Sequence, residues 1–397
     1  MLFLDPWFWR FALVAVVGFW LVPKPAKLVW LIATSAFFHF HFAGPAGMAP
    51  IIALGVFTYY AGLRISRDNE SRLFVVGMVM LAGALGFYKY TAFLLNGLTD
   101  AIGGIAGKES VAWLAGWENP VAPLAISFFT FEFVHYLYEV RKHGREPIRN
   151  PLHFTLFAIF FPTLASGPIK RYADFVPQLE QLENPSVARA WGGAQRVVLG
   201  LFKKICIADL TVEIIQVLDR TPTHTPHLVA TLAVLQGFRI YFDFAGYSDM
   251  AIGLAEMFGL KVPENFDRPY QSTSLQDFWR RWHMSLSSWI RDYVYIPLGG
   301  NQGQRHLHIL TAMALCGLWH GAAWNFVAWG AYHGLGLGLE SMVRTRAPGL
   351  FGDSRGLRFA RWFVCYSFVS YGWLLFFYPM STVIQMNREA FRWLFAG

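Results

Sequence analysis

The chain has 397 residues, of which 55% are hydrophobic, 17% aromatic and only 15% charged. Soluble globular proteins of this length are far less apolar, so that class is excluded. The basic residues behind the net charge of +8 are scattered among apolar segments, which argues against nucleic acid as a partner. The apolar runs lack the alternation of a β-barrel, and we therefore expect an all-α, multi-pass membrane protein.

Five apolar runs near the N-terminus approach or reach the roughly 20 residues that a helix needs to cross a bilayer. They cover residues 7–22, 28–43, 48–63, 73–96 and 121–139. Lys and Arg are concentrated in every second connection, as in the short cytoplasmic loops of membrane proteins. This alternation predicts that the N-terminus and the connection 97–120 lie on the outer side of the membrane.

Residues 152–168 form the next apolar run, but the basic connections before and after it both have cytoplasmic character. A re-entrant segment, which enters the membrane and returns to the same side, reconciles the two. Such backbone is tolerated when it is buried in protein or lines a cavity. The Pro and Gly residues between Pro162 and Pro168 favour a broken helix here.

Residues 228–260 form one long apolar pattern that carries Arg239, Asp243 and Asp249. Charges are costly in lipid, so they are either paired or functional. Arg239 and Asp243 are four residues apart on one helix face, and an intrahelical ion pair is the simpler interpretation. The alternative is a charge pathway formed by all three residues.

The next predicted helix begins at Ser274, in a sequence that resembles a capping box, and runs to about Ile290. One face is aromatic, the opposite face carries Arg280 and Arg291, and His283 lies at the border between them. A helix this short and amphipathic is typical of a cavity-lining or interfacial element.

From about residue 307 to 343 the chain is apolar on every side, with glycines at four-residue intervals that let membrane helices approach closely. His320 lies on an apolar face of this predicted span, whereas Asn325 and His333 lie on other faces. On pattern alone such a histidine is more often structural than catalytic. Neither His320 nor His283 has a second ligand at metal-binding spacing, so no metal site is predicted.

Several motifs of this central region resemble those of the membrane-bound O-acyltransferase (MBOAT) family. The resemblance covers about residues 120–340 and rests on PLAISFFTF at 123–131, YFDFAGYSDMAIG at 241–253, NFDRPY at 265–270, DFWRRWH at 277–283, RDYVYIPLGGN at 291–301 and LWHG at 318–321. Within the family, the chain is most similar to bacterial alginate and peptidoglycan O-acetylation proteins. It is more distantly similar to proteins that transfer D-alanine to teichoic acid.

The resemblance implies a bundle of helices with re-entrant segments and a central tunnel. It divides the chain into N-terminal transmembrane helices at 1–120, the MBOAT catalytic core at 121–345 and C-terminal transmembrane helices at 346–397. It also implies His320 as the catalytic histidine and His283 at a second polar position. Because the two lie on different predicted helices, they must meet across helices.

Acyl transfer from a thioester to a hydroxyl needs a base, and imidazole suits that task near neutral pH. We expect His320 to be the general base and His283 to bind the thioester carbonyl or orient the acceptor. The candidate substrate-binding residues are Arg280, Arg281 and Arg291 for an anionic donor, Trp279, Trp282, Trp319 and Trp324 for excluding water, and Asp243 with Asn325. The alternative for the arginines is a surface that faces water or lipid headgroups.

The resemblance further implies an acyl donor on the cytoplasmic side, either acetyl-CoA or the phosphopantetheine arm of an acyl carrier protein, with no permanently bound cofactor. The acyl group would cross the bacterial inner membrane to a periplasmic esterase-like transferase of SGNH type that modifies a polysaccharide. The connection 97–120 is a candidate docking surface or a plain linker. Two alternatives stay open: D-alanyl transfer to a cell-envelope polymer, and a non-enzymatic transporter that uses Arg239, Asp243 and Asp249.

Overall fold

The computed structural model describes residues 4–68, 71–106 and 117–395, and all regular secondary structure in these ranges is helical. The α-helices are α1 Pro6–Leu21, α2 Lys27–Asp68, α3 Ser71–Leu85, α4 Thr91–Ala106, α5 Ile126–Lys142, α6 Pro151–Ile159, α7 Phe161–Leu164, α8 Tyr172–Glu180, α9 Val187–Phe202, α10 Leu210–Leu218, α11 Pro226–Met257, α12 Leu275–Arg281, α13 Met284–Ile290, α14 Arg305–His320, α15 Trp324–Arg346, α16 Arg355–Phe377 and α17 Met380–Phe395. Short π-helical segments join some of them, at Gly86–Tyr90, Lys203–Asp209 and Arg291–Tyr295. The all-α expectation is confirmed.

Polar side chains begin several of these helices by accepting hydrogen bonds from otherwise unpaired backbone amides. Asp5 accepts from the amide of Trp7 at 2.8 Å, just before α1. Ser274 accepts from the amide of Asp277 at 3.1 Å, which confirms the predicted start of α12.

Among the described residues, three helical stretches are long and apolar enough to cross a membrane: Lys24–Arg67, Ser71–Gly103 and Pro226–Met257. The first contains the predicted helices 28–43 and 48–63, which are joined at a kink where Gly44 adopts φ 63°. Gly tolerates this left-handed conformation, and the next residue is a proline that cannot continue a regular helix.

The predicted loop 97–120 begins later than expected, because α4 continues to Ala106. The period of the apolar residues does not mark this helix end, and no proline or charged run stops the helix at residue 97. Asp100 therefore lies on a helix, and Glu118 lies in a segment without regular secondary structure. Lys108 and Glu109 lie outside the described residues.

The chain divides into two compact units, one formed by residues 1–197 with 251–263 and the other by residues 198–250 with 264–397. These units follow tertiary contacts and cut across the segments 1–120, 121–345 and 346–397. That functional division of the sequence stays a prediction.

The first unit has an aromatic core, in which Phe11 and Phe38 of the N-terminal helices contact Phe161 at 5.0 and 5.7 Å between ring centroids. The predicted broken helix is present over 152–168, but the break comes at Phe160, slightly before the Pro and Gly residues. After it, the buried Lys170 donates to Glu132 of α5 at 2.6 Å. A buried charge needs such a partner, so this ion pair holds the broken segment against α5.

In the second unit, two predicted helices are each broken in two. The helix expected over 274–290 stops at Arg281 and restarts at Met284, because His283 adopts a left-handed conformation with φ 42°. The span expected over 307–343 stops at His320, and Gly321 is extended before α15 begins. The single-helix projections of both segments are therefore wrong.

The glycines of the second broken span have the packing role that their spacing predicted. A side chain at Gly317 would overlap the backbone of Phe326, and one at Gly330 would overlap the backbone of Met313. The two helices α14 and α15 thus lie with their backbones in close approach, as small residues allow.

The charges of α11 are paired with another segment of the same unit, and the predicted intrahelical pair Arg239–Asp243 is wrong. Asp243 contacts the buried Lys204 at 2.7 Å, and Asp249 pairs with Lys203. Arg239 donates to Gln236 at 3.3 Å and lies over the ring of Phe377. Sequence spacing alone cannot show which neighbouring segment supplies the closer partner.

Candidate functional site

His283 lies in the break between α12 and α13 and is 2% exposed. Asn265, which is fully buried, holds this turn through its backbone and its side chain. Its carbonyl accepts from the amide of Met284 at 2.9 Å, and its side-chain oxygen accepts from the hydroxyl of Ser285 at 2.6 Å. Its side-chain nitrogen donates to Ser248 of α11 at 3.1 Å. The left-handed conformation of His283 is therefore fixed by hydrogen bonds on its C-terminal side.

The electrostatic setting of His283 favours the uncharged ring. Helices α12 and α13 have seven residues each and are too short to cross a bilayer. Burial lowers the pKa of His283 well below its ordinary value, and a positive charge on His320 lowers it further. Nδ1 of His283 is buried and has no hydrogen-bond partner within the described ranges. A neutral imidazole offers one donor and one acceptor to a bound molecule.

His320 is the last residue of α14, so it lies at the end of a helix rather than in the middle of one. The ring makes edge contacts with Trp329 of α15 at 5.3 Å and with Phe376 of α16 at 5.1 Å between centroids. Three helices thus contribute to the surroundings of one histidine. The break at Gly321 is required for this arrangement, because it turns the chain back so that Trp329 faces the end of α14.

The structure brings both candidate histidines against one indole. Trp319 lies 6.3 Å from the ring of His283 and 4.9 Å from that of His320, centroid to centroid. Phe244 of α11 contacts His283 from another direction, edge-on at 4.5 Å. Two ionisable rings in aromatic surroundings are therefore assembled from segments distant in sequence.

The other predicted tryptophans differ in position. Trp279 contacts Trp329 at 5.7 Å, the same indole that contacts His320. Trp282 is 3% exposed and lies in the core against Trp373 at 4.8 Å. Trp324 is 65% exposed, so it is poorly placed to exclude water.

The three predicted donor-binding arginines differ in whether a carboxylate pairs with them. Arg281 donates to both carboxylate oxygens of Asp277 at 3.0 Å and to Asp267 at 3.2 Å. Arg291 donates to the adjacent Asp292 at 2.7 Å, whereas Arg280 has an exposed side chain. The charges of Arg281 and Arg291 are thus largely offset by neighbouring carboxylates.

The two remaining candidates are held by other protein groups. Asp243 pairs with Lys204, as described above. Asn325 donates to the backbone carbonyl of Phe376 at 3.3 Å. Because Phe376 contacts His320, Asn325 supports the aromatic wall beside that histidine.

Sequence reasoning did not single out Asn265, Trp329 or Phe376. Asn265 begins the motif NFDRPY, which is one of those that carry the family resemblance, and that motif was the available signal. No sequence signal indicates Phe376, because its role depends only on where α16 packs. His333 was expected apart from His320, yet both rings contact Trp329, at 5.1 and 5.3 Å.

Comparisons with known proteins identify the family of this chain. The model of MBOAT, the membrane-bound O-acyltransferase family, matches residues 129–386. The "probable alginate O-acetylase" of Azotobacter vinelandii is 36% identical over 332 residues, covering 82% of this chain and 64% of that protein. The peptidoglycan O-acetyltransferase of Helicobacter pylori is 31% identical over 418 aligned positions, covering 95% of this chain and 77% of that protein.

A more distant relative is the teichoic acid D-alanyltransferase of Bacillus subtilis, 32% identical over 231 residues, with 54% of this chain and 58% of that protein covered. The chain spans slightly less than two thirds of the length of the alginate relative. The family match includes both histidines and most of the segments that surround them. With more than half of its residues matched, the chain belongs to the membrane-bound O-acyltransferase family.

Proposed function

We propose that this protein transfers an acyl group from a thioester to a hydroxyl, with His320 as the general base. The observation that carries the proposal is the meeting of His320 and His283 at Trp319. Ionisable side chains are expensive in a membrane protein, and two that converge in aromatic surroundings are a functional-site hypothesis by default. Family membership supplies the reaction class.

In the proposed reaction, His320 takes the proton of the acceptor hydroxyl while the hydroxyl oxygen bonds to the carbonyl carbon of the thioester. The carbon–sulfur bond then breaks, and the protonated His320 returns the proton to the departing thiolate. His283 donates a hydrogen bond to the carbonyl oxygen as negative charge develops on it. Its buried Nδ1 and neutral ring support this role.

The aromatic residues around the histidines would keep water from hydrolysing the thioester. Trp319, Trp329 and Phe376 contact His320 directly, and Trp279 contacts Trp329. Trp282 supports them from the core, and Asn325 holds the backbone of Phe376. Among the predicted arginines, the exposed Arg280 fits donor binding better than Arg281 or Arg291, whose charges are offset.

The acyl group is proposed to be acetyl and its donor acetyl-CoA, because the relatives that cover 82% and 95% of this chain are named for O-acetylation. Within the bacterial inner membrane, the protein would form a bundle with re-entrant segments and a central tunnel. The acyl group would pass through this tunnel to a periplasmic SGNH-type transferase and a polysaccharide hydroxyl. D-alanyl transfer from a carrier-protein phosphopantetheine is the second candidate, favoured by similarity over 54% of the chain.

A transporter that moves charge through α11 is less well supported. Asp243 and Asp249 are each paired with a lysine, and Arg239 contacts Gln236 and Phe377. Such pairing is what buried charges need for stability alone.

The test is thioester turnover by purified protein, with acetyl-CoA and a D-alanyl-loaded carrier protein as separate donors. We expect His320→Ala to lower kcat by about 10²- to 10⁴-fold, the range for a lost general base. His283→Ala should lower it by about 10²- to 10³-fold, the range for a lost hydrogen bond to the developing oxyanion.

His227→Ala is the matched control, because His227 belongs to the same unit, has an exposed side chain and contacts Trp393. It should retain normal turnover. Near-normal turnover by a folded His320→Ala protein would contradict the proposal. Faster turnover of the D-alanyl donor than of acetyl-CoA would favour D-alanyl transfer, the second candidate.

A further inference from the structure

The first unit contains a cavity of about 610 Å³ that is not part of the histidine site. Its walls come from α8, from the beginning of α9 and from the segment 259–263. This volume lies within the range of sites that hold small molecules. The charged lining consists of Lys170, Arg171, Arg189 and Lys261, with Asp174 as the one acid in the lining.

The lining of this cavity carries more positive than negative side chains. One of its cations, Lys170, is paired with Glu132. The hydrogen bonding of the Arg189 guanidinium is the most direct evidence for a ligand. Its Nη2 atom is buried and has no hydrogen-bond partner in the described part of the chain. A buried guanidinium nitrogen is costly unless it is paired.

The position of Arg189 on its own helix adds to the free-energy cost of its unpaired guanidinium nitrogen. It is the third residue of α9, where the helix dipole is positive and a cation is unfavourable. Arg171 likewise occupies the N-cap of α8. Neither arginine is placed to stabilise its own helix, but an anion in the cavity that both line would be favoured by the charges and by the helix starts.

Another part of the cavity wall is held by specific hydrogen bonds. The side chain of Gln178 accepts from the amide of Lys261 at 2.7 Å and donates to its carbonyl at 3.1 Å. Gly259, with φ 76°, makes the turn that leads into this segment. The backbone that carries Lys261 is therefore held against α8 before any ligand binds.

We infer that this cavity binds a phosphate ester. Arginine pairs with phosphate oxygens through parallel hydrogen bonds, and lysine adds a compact charge. The apolar parts of the lining, Phe175, Val262 and Pro263, leave room for the group that carries the phosphate. Two sources share this chemistry: the phosphates of a coenzyme A-type donor, which rests on the proposed function, and the headgroup of an anionic phospholipid, which does not.

Binding is tested without turnover, so that failure of the acyltransferase proposal leaves the result interpretable. Calorimetry of the full-length protein in detergent uses inorganic pyrophosphate and adenosine 3′,5′-bisphosphate as probes. We expect Arg189→Gln to weaken binding by about 10-fold or more, since hydrogen bonds between charged groups are lost. Lys261→Gln should weaken it in the same direction, and its exposed side chain makes misfolding a poor explanation.

Arg358→Gln is the matched control, because Arg358 is an exposed arginine that lines a separate groove in the other unit. The lipid arm uses native mass spectrometry after reconstitution in nanodiscs of phosphatidylcholine with phosphatidylglycerol. If pyrophosphate does not bind but phosphatidylglycerol is retained by the wild type and lost from Arg189→Gln, the phosphate site is a lipid site. If neither probe distinguishes the wild type from Arg189→Gln and Lys261→Gln, the inference is overturned.

Discussion

At the scale of single residues, the position of His283 depends on Asn265. A left-handed backbone at a residue other than glycine costs roughly 1–3 kcal/mol and persists only where the surroundings hold it. Asn265 holds this backbone in place by accepting hydrogen bonds from Met284 and Ser285 and by donating one to Ser248. A catalytic ring gains from such a fixed position, because small errors of placement cost much rate.

We therefore predict that Asn265→Ala lowers kcat of acyl transfer by about 10-fold or more, because displaced groups lose alignment with the reacting atoms. The KM for the donor should change little. Ser285→Ala, which removes one of the same hydrogen bonds without opening a large cavity, should give a smaller loss in the same direction. Both are measured by steady-state turnover of protein whose thermal unfolding is also recorded.

A double-mutant cycle tests whether Asn265→Ala lowers kcat by displacing His283. If Asn265 acts through His283, Asn265→Ala has no further effect on kcat in the His283→Ala background. An equal loss in both backgrounds would show that Asn265 stabilises the fold generally and does not position the histidine.

At the scale of elements, the close approach of α14 and α15 places His320 beside Trp329. The carbonyl of Phe326 lies where a side chain on Gly317 would be, and the same holds for Met313 and Gly330. The two helices can lie this close only because neither presents a Cβ atom at these positions.

We predict that Gly317→Ala separates the two helices, lowers the unfolding temperature by several degrees and reduces turnover. Overpacking of this kind costs about 1–3 kcal/mol. Gly356→Ala on α16 is the control, because no atom lies within 4 Å of the added carbon. An unchanged unfolding temperature for Gly317→Ala would contradict this account of the packing.

A second element-scale feature is the attachment of α11 to the π-helical segment Lys203–Asp209. Lys204 is 1% exposed and pairs with Asp243 and Asp209. Removal of one member of a buried pair leaves an uncompensated charge, whereas removal of both can be close to neutral.

We predict that Lys204→Met destabilises the protein on the order of 3 kcal/mol. Asp243→Asn in the Lys204→Met background should recover part of the loss. Lys203→Met is the matched comparison, and its effect should be smaller because Lys203 has a 23% exposed side chain. The free energy of unfolding of all three variants is measured in detergent. A larger loss of stability from Lys203→Met than from Lys204→Met would contradict the prediction.

At the scale of the whole molecule, the placement of charge predicts how the chain crosses the membrane. The connection after α5 carries Arg145 and Arg149 within an exposed basic segment, as cytoplasmic loops do. The connection before α5 has no such excess. These two connections should face opposite sides of the membrane.

Cysteine labelling tests that orientation. After replacement of Cys206, Cys316 and Cys365, Glu118→Cys should react with an impermeant maleimide added to intact spheroplasts. Glu146→Cys, which replaces another exposed glutamate, should react only after the membrane is opened. Labelling of Glu146→Cys in closed spheroplasts would reverse the proposed topology.

Much of the element layout could be predicted from the sequence. Apolar runs, basic connections and a capping serine predicted α1, α2, α11 and the start of α12, because hydrophobic length and cap chemistry are local properties. The motifs around His283 and His320 likewise indicated the family, which the comparisons show.

Only the tertiary structure decided where helices break and what the two histidines contact. Helical periodicity places a side chain relative to its own axis and carries no information on a neighbouring helix. The turn at His283 is held by Asn265, and the wall beside His320 includes Phe376 from another helix. For the same reason, the helical pattern could not identify the partner of Asp243, because Lys204 is distant in sequence. Composition and local pattern determined a helical membrane protein with two candidate histidines, and long-range packing determined that they meet at Trp319.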